Sequence, residues 1–508
     1  MPPPLRTRRA AREAVPATAE RTRARPARWA RHLPVAVLAT AYAMRFSLLT
    51  VNVYNGYGEP AYDMGLFDQG LWLLSRFHVP FVTVMGRDLF GDHTSFILLL
   101  AVPLYWVYPH APTLLVLQSC LLAAASFPLY LLGLRLLRST VLATALAAAF
   151  LLNPALQHGN LEQFHPEAFM TLGIAIALYA AVTGKRRLLI GAAIAVLLGK
   201  QDAALLVIPL GVWVAWRRDR RLGLWLAGAA AAWMAACFEL IIPAFLGTRS
   251  FNMSRIPFGG GWGFVRATFT RTGQVWRYVT GGGRPWYLWQ MASAVGWGWI
   301  FSPEVAAIGV LTFLENELAD FGYMHQILYH YSMPLVPVLV AGTVWAVSRL
   351  RTPARRRALT GVVLCSAIVC GWLWGLAPWS RQTYPHWSPT SPQVLALNKV
   401  IKVVPPDAVV SAYYAYVTHL DHRRRIYMWP TPFSALYWGT YTHEGQRLPF
   451  ANQVQYLVLP QPLTGSDATV FAGIRRQYRV VARGYDVAVY RKISGVTRPA
   501  GAGRAAAP

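Results

Sequence analysis

Apolar stretches of bilayer-like length recur along most of the chain, separated by short polar loops. The first runs from Leu33 to about Val53. Others cover 111–134, 139–152, 166–183, 188–199, 203–216, 222–245, 286–301, 303–314, 331–347 and 358–377. A span needs about 20 residues, so several of these runs are short for the task. Ser95 to Tyr108 has only 14 residues and holds Pro103, which suits an interfacial or re-entrant piece. The pattern predicts an all-α polytopic membrane protein with about 11 transmembrane helices.

After Ala377 the pattern changes. Short β-rich runs at Ala408–Ser411, Arg425–Met428, Val454–Leu459, Tyr478–Ala482 and Asp486–Tyr490 accompany a helical period over Val394–Val403, and Gly484 marks a hairpin. The expected organisation is a transmembrane domain over 33–377 with outer loops 54–94 and 246–285. A small C-terminal extracytoplasmic α/β domain over 378–492 follows. Segments 1–32 and 493–508, rich in Arg, Pro, Ala or Gly, read as disordered tails, the first of them basic and cytoplasmic. Ala41-Tyr42-Ala43 has the form of a signal-peptidase site, but the apolar run continues past it to Val53.

Composition agrees with a membrane chain: 55% of the 508 residues are hydrophobic and only 14% charged, against about 25% charged in soluble domains. The net charge of +27 is explained by position. Arg135/Arg138, Lys185-Arg186-Arg187, the run Arg217 to Arg221 and the run Arg349 to Arg357 fall on one side if Ser95–Tyr108 does not span. Short cytoplasmic loops collect Lys and Arg, which places the N-terminus inside and the C-terminal domain outside. These clusters need no nucleic-acid partner. Cys120, Cys237, Cys365 and Cys370 lie in apolar runs and read as packing residues.

With that orientation the acids sort to the outer side: Glu59, Asp63, Asp68, Asp88, Asp92, Glu162, Glu167, Asp202, Glu315, Glu317 and Asp320. Ionisable groups against apolar helices are costly and usually functional. The first outer loop, Ala61 to Trp72, predicts an amphipathic helix with Asp63 and Asp68 at the interface. Such a carboxylate can take a proton from a hydroxyl or hold a divalent cation; an N-cap and a solvated Asp are the plainer reading. Asp92-His93 precedes the short apolar segment as a cap or a phosphate or sugar contact. His158, Glu162, His165 and Glu167 crowd another outer loop, with a spacing that matches no standard zinc motif. Glu167 also suits a first helical turn. Lys200-Gln201-Asp202 interrupts two apolar runs, and a Lys in a partly apolar cleft suits a phosphate, unless it pairs with Asp202. His330 and Tyr331 add polar groups on the same side. The glycine triplets at 259–261 and 281–283 make the 246–285 loop read as mobile, with its arginines solvated.

Taken together, Asp63-x-Gly65-x-Phe67-Asp68-Gln69, Asp92-His93 before Pro103-Leu104-Tyr105, Phe164-His165-Pro166-Glu167, Lys200-x-Asp202, His330-Tyr331 with Pro334, and Pro405-x-Asp407-Ala408 with His419 resemble an uncharacterised family of bacterial and archaeal multi-pass membrane proteins. That family is grouped with the GT-C glycosyltransferases, and the resemblance covers roughly residues 40–490. Gln201 departs from it, standing where the family more often has an acid. The resemblance implies a GT-C-like fold and an inverting transfer of sugar from a polyprenyl-phosphate donor to a cell-envelope acceptor, in contact with membrane lipid. It implies Asp63 as general base, with Asp68 supporting it or a divalent cation (Mg2+ or Mn2+). Lys200 and His165 would face the lipid phosphate. Asp92, His93, Glu167, Asp202, His330 and Tyr331 would line the substrate site. Two other readings stay open: a transporter of lipid-linked substrate, and a non-catalytic envelope interaction protein.

Overall fold

The computed structural model describes residues 29–250, 255–438 and 443–493. Most of the expected basic tail and C-terminal tail lies outside these residues. Of the former, Ala30–His32 is a helical turn that runs into the first long helix.

Among the described residues, five helices are long and apolar enough to cross a membrane: Ala30–Asn55, Pro112–Leu137, Arg220–Leu246, His330–Arg349 and Pro353–Trp374. Thr140–Leu151 and Pro154–Leu161 form a broken sixth, bent by 46°. The other apolar runs make shorter elements. Glu167–Thr183, Arg186–Leu197 and Ala204–Arg217 have 17, 12 and 14 residues, because basic loops cut them at one end and polar residues at the other. The expected spans 286–301 and 303–314 break into short helices. Gly296 and Trp297 adopt positive φ there, and Pro303 starts a new turn.

Segment 246–285, expected as a mobile outer loop, also departs from expectation, for Gly260–Thr270 and Thr272–Thr280 are helices. Arg284 is buried, donating to the carbonyls of Glu317 (2.7 Å) and Ala319 (2.9 Å). A guanidinium with five N–H donors can satisfy several orphaned helix-end carbonyls at once.

The basic loops meet at one end of the bundle. Arg186 pairs with Asp219 at 2.7 Å, and Glu304 receives both Arg217 (3.7 Å) and Arg349. Between them the Ala204–Arg217 and Arg220–Ala236 helices form a tight hairpin. Asp219 caps its second arm by accepting from the Leu222 amide, as an N-cap carboxylate does. A Cβ at Gly223 would sit 2.1 Å from the Ala215 nitrogen, so the two backbones touch as small residues allow in membrane helix pairs.

The C-terminal region carries the predicted strands almost in place. With β1 (Phe81–Val82) and β2 (Arg87–Asp88) forming a small ribbon in the segment between the first two long helices, β3 (Val410–Ala412), β4 (Ile426–Met428), β5 (Tyr456–Pro460), β6 (Tyr478–Arg483) and β7 (Val487–Lys492) make a five-stranded sheet of order β4-β3-β5-β7-β6. β3 runs parallel to both neighbours, while β7 is antiparallel to β5 and β6. The sheet does not stand apart from the membrane region. Val410, Val417 and Ile426 share one core with Leu66, Leu71, Val84 and Leu98, and Thr83 exchanges side-chain hydrogen bonds with the backbone of Ile426 at 2.6 and 3.0 Å.

Candidate active site

Asp63 opens the site. It lies in a wide turn, Ala61–Gly65, that leads into the Leu66–Ser75 helix, and its backbone sits at φ +63°, ψ −72°. That conformation is costly for a residue with a Cβ and persists only where neighbours impose it. Two contacts do so. The Met64 amide donates to the Gln163 side chain at 2.8 Å, and the Tyr62 hydroxyl accepts from the Trp438 amide at 2.8 Å. Gln163 is itself at φ +60°. Its segment is clamped by Gln118, which donates to the carbonyls of Gln163 and Asn160 and accepts from the His165 amide at 2.8 Å. The result is one partly open carboxylate, 38% exposed, against a buried polar wall.

That wall is a relay of alternating carboxyl and basic side chains. His165, 2% exposed, holds Nε2 at 3.5 Å from Asp63 and Nδ1 at 4.0 Å from Glu162. Its ring stacks on His330 at 3.5 Å between centroids. Glu162 accepts from the His330 amide (3.0 Å) and lies 2.9 Å from its Nδ1, while Nε2 of His330 faces Glu167 at 3.6 Å. Glu167 pairs with Lys200 at 2.5 Å, and the Lys200 ammonium sits over the Tyr331 ring. Burial pushes the Glu162 carboxyl up to about 8, with His165 pulling it down and Asp63 pushing it further up. For Lys200 burial favours the neutral amine, but Glu167 and Asp202 outweigh it and hold the ammonium charged.

A second arm adjoins Lys200. Arg87 holds Asp92 with both Nε (2.9 Å) and Nη2 (2.6 Å), and His93 Nδ1 meets the Gln201 amide at 2.9 Å. Burial favours protonated Asp92, yet Arg87 outweighs it and keeps its carboxyl below the usual range. Burial and the Lys200 charge together lower His93. Gln201, the departure noted in the sequence, is therefore the residue that orients His93. Asp202 is half-buried in the first turn after Lys200.

The site lies at one end of short helices. Lys200 stands at the far end of the 12-residue Arg186–Leu197 helix from the basic loops, a rise of about 18 Å against about 30 Å of hydrocarbon. Glu167 begins, and Lys185 follows, the 17-residue helix beside it.

Residues 59–480 match the family described as predicted membrane proteins, DUF2079. The chain belongs to that family. No curated protein matches the sequence. Among solved structures, ArnT from Cupriavidus metallidurans bound to undecaprenyl phosphate is similar with a TM-score of 0.53 at 11% identity, over 91% of this chain and 99% of that one. The apo state of the same protein gives a TM-score of 0.51 at the same identity and coverage. At that identity the likeness is one of fold: this DUF2079 chain shares its fold with ArnT.

Of the residues singled out in the sequence, Asp63, His165, Glu167, Lys200, His330 and Tyr331 come together in one relay, and Asp92, His93 and Asp202 stand beside it. Asp68 does not join Asp63. It turns into the seam with the C-terminal region, where Oδ1 accepts from Tyr105 at 2.5 Å and faces His422 at 2.9 Å. Helical spacing explains the divergence: five residues separate the two, and only Asp68 lies within regular helix. Gln118, Gln163 and Arg87 are site residues the sequence did not reveal; a lone Gln inside an apolar run is the one signal that points to Gln118. Among the described residues, two clusters could take a divalent cation: Glu162, His165 and His330, and Asp68, Asp421 and His422. Both include imidazole nitrogen, a donor set that suits Mn2+ or Zn2+ better than Mg2+.

Proposed function

We propose that this protein is an inverting glycosyltransferase that moves a sugar from a polyprenyl-phosphate donor to a cell-envelope acceptor at the outer face of the cytoplasmic membrane. The observation that carries the reading is Asp63: a strained, partly open carboxylate held 3.5 Å from a buried histidine. Strain of this kind collects at functional sites. Asp63 takes the proton from the acceptor hydroxyl as the oxygen attacks the anomeric carbon. A single displacement of this type inverts that carbon and needs no enzyme nucleophile. His165 orients the Asp63 carboxylate, and Glu162 faces the other nitrogen of the same ring.

The leaving group is the lipid phosphate, so the second requirement is fixed positive charge. Lys200 is charged at the recessed end of short helices, a depth that meets a lipid headgroup without lifting it from the bilayer. Glu167 spends part of that charge, and Arg255, whose field reaches Tyr331 and His93, adds to it. Likeness to a structure that holds undecaprenyl phosphate supports the donor class. The convergence of the basic loops at the opposite end supports a cytoplasmic N-terminus and an outward site.

The test uses membranes from a strain lacking the protein, with and without the restored gene, incubated with a panel of radiolabelled polyprenyl-phosphate sugars. Transfer that requires the restored protein and inverts the anomeric configuration supports the reading. Identical label in both membranes across the panel, with the protein present and folded, contradicts it.

A further inference from the structure

Where Asp68 leaves the relay it enters a second polar cluster, built from two distant parts of the chain. Asp68 belongs to the first outer-loop helix, Leu66–Ser75, and Asp421 and His422 come from the segment just before β4. Donor atoms of the three lie within 4.8 Å of one another. Both carboxylates are 1% exposed. The Tyr105 hydroxyl and His422 Nε2 account for Asp68 Oδ1. Oδ2 of Asp68 and Oδ2 of Asp421 are buried with no hydrogen-bond partner.

Two adjacent buried carboxyls need a positive counterpart or a proton held between them, since each unpaired buried charge is costly. The adjacent guanidinium does not supply it at contact: Arg423 donates to the carbonyls of Leu420, Pro405 and Ala408. His422 brings an imidazole nitrogen to the same spot. Its ring is stacked between Trp72 and His110, which fixes the direction of Nε2, and at 26% exposure it offers the way in from solvent.

We propose that Asp68, Asp421 and His422 bind a divalent cation of the manganese or zinc class, which fastens the C-terminal sheet to the helix that follows Asp63. Two carboxylate oxygens and one imidazole nitrogen are the ligand set such ions take. Tyr105 is the outer partner that orients the Asp68 carboxylate. His422 coordinates through Nε2 as the neutral ring, so its present contact with Asp68 becomes a shared bond to one ion. The site stands apart from the reaction: it acts by holding the turn that presents Asp63. It uses none of the relay residues.

The experiment takes full-length protein in detergent, stripped with chelator, incubated with Mn2+ or Zn2+ and desalted, with bound metal counted by plasma mass spectrometry and thermal unfolding recorded. Wild type and Asp63→Asn each retain about one ion per chain, and metal raises their unfolding midpoint. Asp421→Asn, an isosteric change, and His422→Ala lower retention at least about tenfold and abolish the metal-dependent rise. Because Asp63→Asn keeps its metal, this outcome does not depend on transfer activity. Folded wild type that retains no ion and shows no metal-dependent midpoint overturns the proposal and assigns the pair a shared proton instead. Equal retention by wild type and Asp421→Asn overturns it as well.

Discussion

Glu162 and Lys200 illustrate opposite outcomes of burial. Glu162 gains a carboxyl pKa of about 8 against an ordinary 4.5, so the folded chain holds a proton that the unfolded chain releases. The stability this contributes is full below about 4.5 and is lost as pH rises towards 8, at no more than about 1.4 kcal/mol per pH unit. Glu162→Gln removes that slope; thermal unfolding of variant and wild type between pH 5 and 8 checks it, and parallel curves would sink the account. Lys200 stays charged because Glu167 answers it at 2.5 Å. Lys200→Met leaves the buried Glu167 carboxylate facing only the His330 ring at 3.6 Å and should cost about 3–5 kcal/mol. Adding Glu167→Gln should restore most of the stability but none of the transfer, since the cation facing the phosphate is still missing. Recovery of transfer in the double variant would show Lys200 to be structural only. The sequence placed all the charged members of this relay in outer loops, because charge interrupting an apolar run is conspicuous. It could not show Gln118 and Gln163, whose role comes from hydrogen bonds made across the bundle.

Helix by helix, what was readable depended on whether a run had a single environment. Long runs such as Pro112–Leu137 and Pro353–Trp374 formed as expected. Runs 286–301 and 303–314 did not, because Gly296, Trp297 and Pro303 break the backbone pattern that hydropathy alone reports. The strands of the C-terminal sheet were legible from their β-branched and aromatic runs; their fusion to the first outer loop, which rests on contacts such as Thr83 with Ile426, was not. The hairpin at Gly211 and Gly223 yields a prediction of its own. Its backbones are in contact, so Gly223→Leu must push the arms apart. Since Lys200 enters the Ala204–Arg217 arm, the expected result is a loss of folded yield larger than that of Gly228→Leu, a position with open space around it. Fluorescence-detected size exclusion of the two variants decides, and equal yields would contradict the packing described.

At the scale of the whole molecule, basic loops gather at one end of the bundle and a recessed acid–histidine–lysine relay at the other, with the C-terminal sheet pinning the turn that bears Asp63. The proposed transferase would use this division: a lipid phosphate held by Lys200 at the depth of the headgroups, and the Asp63 carboxylate open to the acceptor. Kinetics of Asp63→Asn with a competent labelled donor test the claim most directly. The expected result is a fall in kcat of about 10²–10⁴-fold, with the Kd for the polyprenyl-phosphate donor within a few-fold of wild type and an unchanged unfolding midpoint. A variant that folds, binds donor and transfers sugar at the wild-type rate would contradict it.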